Sequence, residues 1–193
     1  MAGGDDVFEG IEYSSVEMQH LRNDFRVRQM LKYRGLDDGT TLAKVLAYVT
    51  RTRNGRTELL VFDHRDAPQA GVQVPAGSIE VGEMPSDAAM RELREETGLA
   101  NARPVGRIDV YEWEDPETHR WHRRHVYQFE APSDAPDSWE HVVTAGEDDH
   151  GMKFDCRWLP VDVAETELSS EQGASVRRII SRRTSEERPL TNG

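Results

Sequence analysis

The chain has 193 residues, 36 acidic side chains against 24 basic ones, and a formal charge of −12. That length suits one domain with extensions, and the acidity argues against a non-specific nucleic-acid binder, which needs a cationic surface to displace counterions. Cys156 is the sole cysteine, so an intramolecular disulfide is excluded and a reducing cytoplasm is the expected setting. The opening MAGGDDVFEG lacks the basic and apolar regions of a signal peptide, and no apolar run approaches the roughly 18 residues of a membrane span.

In chain order, residues 1–40 are expected to form an N-terminal extension with one helix. Ser14 and Glu17 make a capping-box pattern, Gly35 supplies a stop, and Met18, Leu21, Phe25, Met30 and Leu31 give a partial apolar stripe. Such a helix suits a dimerisation arm or substrate lid as well as an element docked on its own domain. A compact domain is expected over 41–183, then a polar tail over 184–193. Residues 41–50 (TLAKVLAYVT) and 57–63 (TELLVFD) read as strands joined by a turn at Asn54-Gly55. Residues 107–113 and 121–130 read as a hairpin around Asp115-Pro116, 154–159 as a further strand, and Ser169 or Ser170 can cap a last helix reaching Ser181.

Between these strands the spacing predicts a helix over 85–97. Pro85 can occupy the first helical position, Asp87 complements the helix N-terminus, and Gly98 supplies the left-handed stop. Ala89, Met90, Leu93 and Thr97 mark its buried side. Glu92, Glu95 and Glu96 fall at i, i+3 and i+4, which places three carboxylates on neighbouring sites of one face. Like charges so close call for a counter-charge. Hard oxygen ligands suit Mg²⁺ or Mn²⁺, whereas Zn²⁺ prefers His and Cys. Arg91 and Glu83 are expected to pair and fix the preceding loop against the helix.

Residues 77–99, GSIEVGEMPSDAAMRELREETGL, also fit one longer pattern: Gly77, five residues, Glu83, seven residues, then Arg91-Glu92-Leu93-Arg94-Glu95-Glu96-Thr97-Gly98-Leu99. Seven fixed letters at ordinary background usage give chance odds on the order of 10⁻⁸ per start position. A Glu-rich helix alone is usually a solvated face; both glycines at the right distances set that explanation aside. The stretch resembles the Nudix box, G-x5-E-x7-R-E-U-x-E-E-x-G-U with U a bulky aliphatic.

The resemblance implies an α/β fold, an α/β/α sandwich around a mixed sheet, here with an N-terminal helical extension. It also implies a hydrolase of nucleoside diphosphates linked to another moiety. Carried over by position, the metal ligands are Glu92, Glu95 and Glu96, with the Gly77 carbonyl as a further ligand. Arg91 belongs to the catalytic set, and Glu83 and Gly98 are structural in the motif. The general base stays open between Glu92 and Glu95 in the box and Glu147 in the acidic loop 146–150. The resemblance and the N-terminal helix together point to a homodimer.

Substrate is less legible. Strand alternation over 121–130 puts Trp121, Arg123, His125, Tyr127 and Phe129 on one face, with His122 and Arg124 on the other. Arg123, His125 and Tyr127 are the candidates for gripping phosphate and stacking on a base; the competing reading is an edge hairpin with solvated charges. ADP-ribose members of the family tend to carry a proline downstream of the box, and Pro116 lies slightly beyond that position, so a nucleotide sugar such as ADP-ribose is marginally favoured. Dinucleoside polyphosphates and nucleoside triphosphates are the alternatives. Two further readings are a non-catalytic nucleotide sensor and isopentenyl diphosphate isomerase, whose chemistry needs an active-site cysteine. Cys156 lies far from the box, in an apparent core strand.

Overall fold

The computed structural model describes residues 41–144 and 150–179. The expected helix over 15–34 and the candidate base Glu147 lie outside the described residues.

Seven strands form one mixed sheet. They are β1 (Thr41–Arg53), β2 (Arg56–His64), β3 (Ala76–Ser78), β4 (Arg103–Glu114), β5 (Trp121–Glu130), β6 (Ser138–Val142) and β7 (Lys153–Pro160). Their order is β4-β5-β1-β2-β7-β6, with β3 also paired to β1. Asn54 and Gly55 both take positive φ, 50° and 75°, as a two-residue hairpin turn between β1 and β2 requires. At the β4–β5 hairpin the Asp115 carboxylate accepts from the Glu117 and Thr118 amides at 2.8 and 3.2 Å.

β1 runs parallel to β5 over residues 41–50, while its other edge is shared. β3 occupies that edge at Lys44–Leu46, and β2 occupies it from Thr50 to Arg53. The sheet therefore splits beside the first half of β1, and the helix that follows β3 packs on one face of it.

That helix, α1 (Pro85–Thr97), has the predicted bounds, with Pro85 in its first turn and Gly98 at φ 74° donating to the Arg94 carbonyl. Ala88, Ala89 and Leu93 are fully buried against Val45, Ala47, Val49, Leu60, Phe62, Phe129 and Phe154. Phe62 and Phe154 stack at 4.2 Å. On the opposite face Leu46, Tyr48, Leu59, Val61 and Val126 pack beneath Val161 and Ala164 of α2 (Val161–Glu167) and Val176 and Ile179. Alternation along β1 sorts the two layers, Val45, Ala47 and Val49 toward α1 and Leu46 and Tyr48 away. Burying each such side chain contributes roughly 1.5–3 kcal/mol.

The C-terminal end corrects one expectation. The chain is not helical from Ser169; residues 170–175 make turns, and among the described residues helix covers 176–179. Ser170 and Glu171 hold left-handed φ of 52° and 54°, and the carbonyls of Ser170, Glu171 and Gln172 accept from Arg124, Tyr111 and Tyr48. Those side-chain bonds hold the segment in its turns, and the Glu171 carbonyl also accepts from the Ala174 amide at 3.1 Å. β6 and α2 had no clear forerunner in the pattern: SWEHV is a half-exposed edge segment without an apolar run, and VDVAETE is a short helix with two buried residues.

β6 also caps α1. Trp139 Nε1 donates to the Thr97 carbonyl at 2.7 Å, and His141 Nε2 stands 2.8 Å from the Glu95 carbonyl. Trp139→Phe keeps the ring packing and deletes one of these bonds, so unfolding stability is expected to fall by about 1 kcal/mol. Urea denaturation of the two proteins checks this, and equal midpoints would count against the cap.

Candidate active site

Arg91 organises the acidic helix face. Its Nε and Nη2 grip Glu83 Oε1 and Oε2, each at 2.9 Å, as a bidentate fork. Nη1 donates to Glu92 Oε1 at 2.8 Å and Glu95 Oε2 at 3.1 Å, and Nη2 also reaches the Ser78 carbonyl at 2.9 Å. One guanidinium thus ties the loop, β3 and the helix together while offsetting part of the charge of three carboxylates. The expected Arg91–Glu83 pair is present in this geometry. Glu83 Oε2 also accepts from the Glu80 amide at 3.1 Å.

The carboxylates have unlike surroundings. Burial alone would push the Glu83 carboxyl up, but the bonds from Arg91 and the Glu80 amide outweigh it and hold the pKa below the ordinary value. Glu92 is 9 % exposed, and there burial prevails over the pull of Arg91 and raises the pKa. Glu96 is turned toward β3, where Oε2 accepts from the Ala76 amide at 2.8 Å. Glu92 and Glu96 therefore lie on the buried side of α1, and Glu95 on its rim.

Gly77 completes the cradle. A Cβ at this position would overlap the Glu92 carboxylate as it stands, so any other residue here would displace those oxygens. As the side chains stand, no three His, Cys, Asp or Glu among the described residues enclose a cation; Arg91 Nη1 occupies the space between Glu92 and Glu95. The donor set nevertheless fits Mg²⁺ or Mn²⁺: all oxygen, beside a backbone stripped of its side chain.

The raised Glu92 pKa has a defined sign in stability. The folded state holds that proton more tightly than the unfolded chain. Its contribution therefore favours folding below the ordinary carboxylate pKa and is lost as pH rises through the folded value. At neutral pH the ionised group is a cost. Glu92→Gln is expected to leave the chelator-treated protein as stable as wild type or slightly more so, while diminishing the rise in Tm on adding Mg²⁺. Thermal melts with EDTA and with Mg²⁺ test this; a lower Tm in EDTA would contradict the sign.

The residues predicted to hold substrate lie along β5. Arg123 donates to Glu112 across the β4–β5 ladder and keeps 29 % of its side-chain area exposed. His125 is buried at 3 % exposure, and Tyr127 packs on the α1-side cluster. By register all three project from the sheet on the side that carries α1. On the other face, Arg124, Trp113, Tyr111 and His122 gather beside Lys44. Alternation had separated Arg124 from Arg123, but Trp113 and Tyr111 come from β4, and no pattern within β5 could supply them.

A family model described as the NUDIX domain matches residues 41–179, most of the chain. The chain belongs to the Nudix family. Among solved structures it resembles the NUDIX domain of Shewanella oneidensis NrtR complexed with ADP ribose, at TM-score 0.57 and 16% identity, covering 79% of this chain and 97% of that one. A Caenorhabditis elegans Ap4A hydrolase binary complex matches at TM-score 0.54 and 16% identity, covering 75% and 98%. An RNA pyrophosphohydrolase of Roseobacter denitrificans is 50% identical over 46 residues, 24% of this chain and 29% of that protein. The matched segments thus span less than a third of the curated relatives' own length. Those structural likenesses establish the fold, and the chemistry of this Nudix chain rests on its own residues.

Proposed function

We infer that this chain is a Mg²⁺- or Mn²⁺-dependent pyrophosphohydrolase that cleaves a nucleoside diphosphate linked to another moiety. The observation that carries the reading is the Glu92–Glu95–Glu96 face of α1, set by Arg91 against the Gly77 backbone. Glu92, Glu95 and Glu96 would hold the metal, with the Gly77 carbonyl as a further ligand. The bound ion supplies charge neutralisation at phosphoryl oxygens and acidifies water.

The chain's own residues do the rest. Arg91 keeps the carboxylates and the loop in register, so substrate meets a preformed arrangement. The proton of the attacking water passes to a carboxylate, Glu92 or Glu95 on the helix, or Glu147. In Cys156, burial pushes the thiol pKa up to about 12. A thiol so held is not a reactive nucleophile, which favours hydrolysis over the isomerase chemistry.

ADP-ribose or another nucleotide sugar is the favoured substrate, supported by the fold shared with a NUDIX domain that binds ADP ribose. Dinucleoside polyphosphates and nucleoside triphosphates form the second reading, supported by the local match to RNA pyrophosphohydrolase. No helix among the described residues is long and apolar enough to cross a membrane; a cytoplasmic homodimer completes the proposal. The test is phosphate release, with and without Mg²⁺, from nucleotide sugars, dinucleoside polyphosphates, nucleoside triphosphates and dinucleotide cofactors. Turnover of one class names the substrate. Metal-dependent binding with no turnover anywhere would replace the enzyme with a nucleotide sensor.

A further inference from the structure

Arg124 is a buried guanidinium for which the described fold provides no anion. It is 6 % exposed, and a cation held out of water without a counter-charge is costly. Its central carbon lies 3.9 Å over the Trp113 ring and 5.9 Å from that of Tyr111, which recovers part of the cost. Nη1 donates to the Ser170 carbonyl and reaches the Tyr111 hydroxyl at 3.5 Å. Nε and Nη2 make no hydrogen bond to the described residues, and neither is a sealed, unpaired atom of the interior. Those two nitrogens form the edge of the guanidinium that takes two oxygens of an oxyanion at once. Stacking on Trp113 fixes the plane of that fork before any ligand arrives.

Strand alternation separates this place from the acidic helix. Leu46 and Tyr48 of β1 face away from α1, Lys44 shares their side, and Arg124 stands opposite Lys44 in the parallel β1–β5 register. His122 lies on the same side two residues earlier, its ring 5.3 Å from that of Trp113. The His122 imidazole feels the gathered charge: its pKa is held down, first by burial and then by Lys44, Arg124 and Arg120. Asp115 pulls the other way, but its carboxylate is occupied by the Glu117 and Thr118 amides. Asp109 is bound by Ser175 and Arg178, at 2.7 and 2.8 Å. No carboxylate among the described residues pairs with Arg124, Glu171 included, although the Glu171 charge reaches Tyr111.

We propose that the Nε–Nη2 edge of Arg124, with Lys44 and His122 beside it, is a non-catalytic oxyanion site on the sheet face opposite α1, and that its ligand is inorganic phosphate. The proposal goes beyond the hydrolase reading and does not depend on it, because the sheet stands between this site and Glu92, Glu95 and Glu96. An ion that can carry two charges gains from all the cations gathered here, whereas a single carboxylate satisfies the fork alone. The low exposure of Arg124 admits a small ion and leaves little room for an organic substituent. Bound phosphate supplies the counter-charge that the guanidinium lacks, so it stabilises the folded state by mass action.

The test is calorimetric titration of the full chain with inorganic phosphate, in EDTA at constant ionic strength, for wild type, Arg124→Met and Arg124→Lys. Acetate serves as the carboxylate probe. EDTA removes any divalent cation through which the acidic helix would hold phosphate, and circular dichroism first establishes that each variant is folded. Arg124→Met should weaken phosphate binding by about 10-fold or more, and Arg124→Lys should recover only part of it, since an ammonium is not a fork. A second readout needs no change at Arg124: an NMR titration of His122, assigned with His122→Asn, should show its pKa rising in wild type when phosphate is added. Unchanged phosphate affinity in Arg124→Met, acetate binding as tightly as phosphate, or a His122 titration indifferent to phosphate would each overturn the site. Turnover with Mg²⁺ tests the hydrolase separately, and neither result decides the other.

Discussion

Glu95→Gln is expected to lower metal-dependent kcat by about 10³-fold with little change in fold. Glutamine keeps the length of the side chain, and its carbonyl oxygen can still accept from Arg91 Nη1, 3.1 Å away in the native protein. The helix end is held independently, by His141 on the Glu95 carbonyl and Trp139 on that of Thr97. Only the negative charge goes. An oxygen ligand stripped of charge forfeits several kcal/mol of metal-assisted stabilisation, and about 4 kcal/mol corresponds to the stated factor. Steady-state rates across a Mg²⁺ titration, beside a thermal melt, read both halves of the expectation. A variant retaining more than about a tenth of wild-type kcat at saturating Mg²⁺ would remove Glu95 from the ligand set.

Arg91→Met should have the largest effect on stability. The guanidinium makes five hydrogen bonds to Glu83, Glu92, Glu95 and the Ser78 carbonyl. Without it three carboxylates, each under a quarter exposed, face one another uncompensated. Breaking a buried ion pair costs about 3–5 kcal/mol, and partial exposure of this cluster places the loss near 3. The pH dependence follows from Glu83, whose pKa is held down. That stability is fully present above the ordinary carboxylate range and is lost as pH falls through the folded pKa. The gap between wild type and variant should therefore be widest at neutral pH and narrow toward about pH 3. Mg²⁺ should recover part of it, since a cation bound only by the folded state stabilises by mass action. Denaturant titrations at both pH values, with and without Mg²⁺, give the answer. A gap that ignores pH would show that Arg91 acts through packing and not through charge.

The box was legible because its chemistry is local. A helix of 13 residues carries its own start, stop and buried stripe, and its three glutamates need only the 3.6-residue period to share a face. The Arg91–Glu83 pair spans eight residues and was legible for the same reason. Alternation over 121–130 likewise sorted Arg123 from Arg124 correctly by face, but not by environment. Whether a strand residue meets solvent, a helix or an ion partner depends on what the rest of the chain lays over it. Tyr127 went under α1, His125 was buried, Arg123 was taken by Glu112 from the neighbouring strand, and Arg124 was stacked on Trp113.

What the sequence determined by itself was the family, the acidic helix with its bounds, most strands, and the turns at Asn54-Gly55 and Asp115-Pro116. Periodicity and turn chemistry are properties of neighbours in the chain. The tertiary structure alone decided that β1 runs parallel to β5, that β6 caps α1, and that residues 170–172 turn their carbonyls to the sheet. It also gave Glu83, Glu92 and Glu96 unlike environments and set Lys44 between Ser78 and Arg124. Several of these contacts join residues far apart in the chain, from the 20 positions between Ala76 and Glu96 to the 124 between Tyr48 and Gln172, and at such separations packing and the dielectric, not sequence spacing, set the energies.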